Sequence, residues 1–166
     1  MSVIELPAPP AIAIALTELA ECVCEQLTTN GAGETCWCGL YAGAVVTWDY
    51  CAGECGNDVC GMGWVRLGTV FPYSIFPQPI LDDRCALPLA WQIEVGALRC
   101  IPLMPDGGPI DSATMADVAL KQVLDARALH AAMQCCGFSV AAEVYTPTGP
   151  EGGCVGGFWT GYIALS

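Results

Sequence analysis

"WVRLGTVF", residues Trp64–Phe71, decides the fold class. Val65, Leu67, Thr69 and Phe71 alternate with Trp64 and Arg66, and a period of two belongs to a strand with one face on a core. A second run of this kind, about Ala90–Leu98, sets Trp91, Ile93, Val95 and Ala97 against Gln92 and Glu94. Upstream, about Ala44–Tyr50 reads as a first strand, forming a hairpin with Trp64–Phe71. Downstream, about Phe138–Tyr145 and Phe158–Leu165 read as closing strands that flank a glycine-rich loop, "TPTGPEGGCVGG".

Two helical periods bracket these strands. From about Pro10 to Leu27, Ile12, Leu16, Leu19, Val23 and Leu27 form one apolar stripe while Glu18, Glu21 and Glu25 face elsewhere. Asn30 and Gly31 supply the stop. A second helix is expected from about Ser112 to Gln134, with Asp111 or Ser112 as N-cap and a polar stripe at Asp117, Lys121 and Asp125. The order of helix, three strands, helix and two strands predicts an α+β domain over residues 1–166. Its mixed or antiparallel sheet has about five strands, with two helices packed on one face. Between the second and third strands, "PYSIFPQPILDDRCALP" is too rich in proline for a central strand and too apolar for a disordered linker. It reads as an ordered excursion that packs on a neighbour.

The chain carries 54% hydrophobic residues, enough for a sizeable core. Five scattered Lys and Arg stand against seventeen Asp and Glu, for a net charge of -12. Such a surface repels nucleic acid, which is gripped by basic faces. The N-terminus, with Glu5 and a short apolar run, does not resemble a signal peptide, and no span has the length of a membrane helix. Twelve cysteines nevertheless suit an oxidising location. A protein made in the cytosol and released by lysis in a virus particle reconciles the two.

Cys51, Cys55 and Cys60 fall within ten residues, in "DYCAGECGNDVCGMGW", and Cys36 and Cys38 flank Trp37. These spacings leave three readings open: disulfides, reduced packed thiols, or a zinc site drawn from several loops, although zinc favours two regularly spaced pairs. Cys51 and Cys60 close the ends of a loop and are the disulfide candidates. No catalytic or cofactor-binding constellation emerges. The single His130 has no nucleophile at motif spacing and reads as a surface or packing residue; "GAGETC" has Cys36 where a dinucleotide fingerprint needs glycine. Adjacent Asp82 and Asp83 read as solvated.

"CWCGLYAGAVVTWDYC", "CGMGWVRLGTVFPYSIFPQP", "LAWQIEVGALRC" and "YTPTGPEGGCVGGFWTGY" together resemble a family of small cysteine-rich proteins of actinobacteriophages, encoded among the head-to-tail connection genes. The similarity runs from about Cys36 to Tyr162. The element order is also similar to that of siphophage tail terminators, which form a hexameric ring capping the tail tube. The resemblance implies a structural protein of the virion neck, assembled in the host cytoplasm. Its partners would be further copies of itself in a hexamer, the major tail tube protein and the head connector or stopper; it implies no cofactor, no metal and no membrane. DNA passes such a ring without being held, so a negative lumen is useful, with Glu54, Asp58, Asp82 and Asp83 as lumen candidates. Ring contacts need apolar surface, for which Phe71, Tyr73, Ile75, Phe76 and Ile80 are candidates; the same side chains also suit covering the sheet's own edge. The alternatives are another neck connector, such as a stopper or adaptor, and a small zinc-binding interaction module.

Overall fold

A computed structural model describes residues 11–47, 59–80, 87–102, 108–135 and 140–164. Its elements are α1 (Ala11–Thr29), β1 (Trp37–Tyr41), β2 (Met62–Ile75), β3 (Gln78–Pro79), β4 (Leu89–Cys100), α2 (Ser112–Cys135), β5 (Ala141–Glu151) and β6 (Cys154–Ala164). The main sheet has the order β1-β2-β4-β6-β5, and β3 pairs with β2 outside that path. β1 is parallel to β2 and the other pairings are antiparallel. The chain is therefore α+β with a mixed sheet, as the hydrophobic periods predict.

Both helices pack on one another and on the same face of the sheet. Leu19, Val23 and Leu27 of α1 meet Leu129 and Met133 of α2 over Val65, Ile93, Val95 and Ile163, all buried in one cluster. The expected apolar stripe of α1 is thus the core stripe. On the opposite face a smaller cluster forms from Met62, Trp64, Leu98 and Cys154, against which Trp37, Tyr41, Val46 and Phe158 pack. Gly96 makes room for it: a Cβ there would overlap the Trp64 indole.

The helix ends follow local chemistry. Asp111 Oδ1 accepts from the backbone N–H groups of Ala113 and Thr114, both at 3.0 Å, satisfying donors that the first turn leaves open. After α1, the N–H groups of Asn30 and Gly31 both donate to Gln26 O. Gly31 is required because a Cβ would come within 2.6 Å of Leu27 O and 2.7 Å of Asp125 Oδ1.

Several expectations need correction. Among the described residues the first strand is Trp37–Tyr41, and residues 44–47 of the expected strand Ala44–Tyr50 are not strand. β1 runs parallel to β2, so the two do not make a hairpin. Residues 42–47 cross the smaller cluster instead, where Val46 uses its apolar side chain for packing; 48–50 lie outside the described residues. β2 continues beyond Phe71 to Ile75 through Pro72. This is tolerated because β1 flanks only Met62–Arg66, so Pro72 lies beyond its reach. The glycine-rich segment 146–157 is mostly strand: β5 and β6 run up to a turn at Gly152 and Gly153, both with positive φ. Asp125 does not belong to an exposed polar stripe. A step of four residues advances a helix by about 40°, so two steps from Asp117 carry Asp125 round to the buried side, where it is 3% exposed.

Disulfides join Cys24 to Cys38 and Cys60 to Cys100. The first ties α1 to β1. The second ties the entry of β2 to the end of β4, and it replaces the expected Cys51–Cys60 bond, since the Cys60 sulfur is engaged by a partner that strand pairing brings beside it; Cys51 lies outside the described residues. Cys22, Cys36 and Cys154 are also disulfide-bonded.

Candidate interaction surfaces

A buried ion pair fixes α2 against the rest of the molecule. Arg99, at the end of β4, donates from Nε to Asp125 Oδ2 at 2.7 Å and from Nη2 to Oδ1 at 2.9 Å. Nη1 and Nη2 also donate to the carbonyls of Glu34 at 2.6 Å and Gly33 at 2.8 Å, and Ala32 N–H donates to Asp125 Oδ1 at 2.8 Å. One guanidinium thus joins a strand, a helix and the loop after α1, with both charges compensated.

Beyond this pair, α2, β5 and β6 enclose an open groove of about 650 Å³. Trp159 forms its floor. The indole N–H donates to Ala126 O at 2.8 Å, and the ring lies 5.0 Å from the His130 ring and 5.6 Å from that of Tyr145. Gln122 donates to Gly156 O. Burial pushes the Tyr145 hydroxyl pKa above its ordinary value; the Gln122 hydrogen bond opposes this and the Asp125 charge adds to it. Gly157 admits the Tyr145 side chain, since a Cβ there would lie within 2.6 Å of the ring. Val123, 57% exposed, and Arg127 form the outer wall. Of the groove's residues only His130 stands out in the sequence, because Trp159 and Tyr145 reach it from other elements; Val123, exposed on α2, is the apolar helical residue that also lines it.

The outer face of α1 is of opposite character. Ala13, Ile14, Thr17, Glu18 and Glu21 line a shallow depression of about 240 Å³. Ile14 is 48% exposed. Neither glutamate has a hydrogen bond or ion pair among the described residues.

The anticipated apolar interface residues lie on and beside the β2–β3 arm. Phe71 packs edge-on against Tyr162, with centroids 6.0 Å apart, and Tyr73 against Phe76 at 5.5 Å. Ile80 N–H donates to Pro72 O at 3.0 Å. Ile75 is the member left at 69% exposure. Glu143, on β5, accepts a hydrogen bond from the Tyr162 hydroxyl at 2.9 Å; partial burial, that bond and the carboxylate charge raise the Tyr162 pKa. The lumen candidates Glu54, Asp58, Asp82 and Asp83 all lie outside the described residues.

The cations are mostly neutralised within the chain. Arg66 pairs with Glu94 at 2.6 Å, Arg99 with Asp125 and Lys121 with Asp117 at 2.8 Å. Arg127 alone among the described cations has no acidic partner. A sulfur in a disulfide is not a thiolate ligand, so Cys36, Cys38 and Cys60 in this state do not supply zinc. No described helix is long and apolar enough to cross a membrane. No protein-family model matches the chain, and no curated protein is significantly similar to it.

Proposed function

We propose that this chain is a structural protein of a phage neck, a tail terminator whose copies form a hexameric ring that caps the tail tube and joins it to the head connector. It works by assembly and carries no reaction. The observation that carries this reading is the sequence resemblance from about Cys36 to Tyr162, in a chain whose order of elements folds into one mixed sheet with both helices on one face. Charge supports it: at -12 per subunit, with three of the described cations held in ion pairs, a ring of copies offers passing DNA no adhesive lining. Disulfides support a particle that leaves the reducing cytosol.

Cryo-electron microscopy of the neck, together with binding to the purified tail tube protein and connector, tests the proposal. Six copies seated on the tube end are expected. A twofold dimer that buries the β2–β3 arm between its copies overturns the ring. Binding to the connector without binding to the tube makes the chain a stopper or adaptor.

A further inference from the structure

We infer that the groove beside α2 receives the outer face of α1 from a second copy of this chain, in a head-to-tail contact. The inference rests on the ring reading above for its biological setting and names the surfaces by which such a ring is built.

Three observations carry it. The first is charge complementarity. In a chain of net charge -12, Arg127 stands at the groove with no acidic partner among the described residues, while Glu18 and Glu21 stand on α1 with no basic one. The second is apolar matching: Ile14, about half exposed one turn before Glu18, has the character to enter a groove lined by Val123 and Trp159. The third is placement. α1 packs over β1 and β2 at one end of the sheet, whereas α2 and its groove lie over β4, β6 and β5 at the other. Two different surfaces at opposite ends of one layer are what a heterologous contact needs, and such contacts make a ring where the rotation between copies closes. A twofold contact made from either surface alone is disfavoured, because it sets Glu18 and Glu21 against their own copies or Arg127 against itself.

Sedimentation over a wide concentration range, with the disulfide-bonded protein and two charge reversals, tests the contact. Both positions are exposed, so Arg127→Glu and Glu21→Arg should leave the melting temperature unchanged. The wild-type chain is expected to self-associate, and each variant to do so about tenfold more weakly or worse. An equal mixture of the two variants is expected to recover assembly, because each altered surface then meets its charge complement on the other variant. A wild-type chain that stays monomeric at millimolar concentration, single variants that associate like the wild type, or a mixture that fails to recover would each overturn the contact. The neck reading fails separately. A chain that assembles in this way but is absent from the particle neck keeps the contact and loses the neck, whereas a neck ring whose subunits meet through other surfaces keeps the neck and loses the contact.

Discussion

Arg99 and Asp125 show how much can depend on one pair of side chains. Five hydrogen bonds converge on them at 2.6 to 2.9 Å, and both residues are buried. Asp125→Ala therefore leaves a buried guanidinium with carbonyls alone. It should destabilise the fold by about 3–5 kcal/mol in chemical denaturation; a loss below about 1 kcal/mol would show that water reaches the site. Tyr145 offers a second measurement at this scale. Its neutral form is favoured by burial, so its folded pKa lies above the unfolded one. The stability this group contributes is complete below the ordinary tyrosine pKa and is lost as pH rises through the raised value. An ultraviolet absorbance titration should show late-ionising tyrosine, from Tyr145 and Tyr162, and Tyr145→Phe should remove part of that late step. Ionisation of every tyrosine together, near the ordinary value, would contradict the burial.

The elements are joined by covalent ties as well as by packing. Cys24–Cys38 spans 14 residues and Cys60–Cys100 spans 40, and closing loops of these lengths stabilises by about 3 and 4 kcal/mol respectively in the chain-entropy view. Reduction should lower the unfolding midpoint accordingly. Peptide mapping without reductant should recover the fragment of Cys60 linked to that of Cys100; a link from Cys60 to Cys51 would reverse the assignment. Packing between strands is equally specific. Gly96 faces the Trp64 indole across the β2–β4 pair, so Gly96→Ala forces the ring aside and should cost about 1–3 kcal/mol, with a change in tryptophan fluorescence as its signature.

The whole molecule is defined by charge. A net charge of -12 on 166 residues leaves no basic face where phosphates can release counterions. No shift of duplex DNA in a gel at physiological salt is therefore expected; binding with micromolar affinity or better would contradict both this and the acidic lumen. The same charge opposes the self-association of whole subunits while Arg127 and the α1 glutamates favour it locally, so added salt should promote assembly until screening reaches the contact itself.

Periodicity and capping chemistry made the class of fold legible in the sequence. Alternation along β2 and β4, the stripe of α1 and the Asp111 cap act through nearest neighbours, and the structure keeps each of them within a few residues of its expected place. Pairing was not legible. "AVVTWDY" carries the residue types of a strand, yet the strand lies at Trp37–Tyr41, where a disulfide holds it to α1 and β2 provides a parallel neighbour. The glycines of 152–157 read as a loop because a sequence does not distinguish a glycine needed for a turn from one needed for close approach: Gly152 and Gly153 turn the chain, while Gly156 and Gly157 sit in β6 and make room for β4 and for Tyr145. Asp125, Cys60 and Trp159 acquire their roles from partners 26, 40 and 33 residues away. Local composition thus determined the two helices, the strands β2 and β4 and the charge of the surface. Which side chains share a groove, a buried charge or a sulfur bond follows from folding alone, because those contacts join positions far apart along the chain.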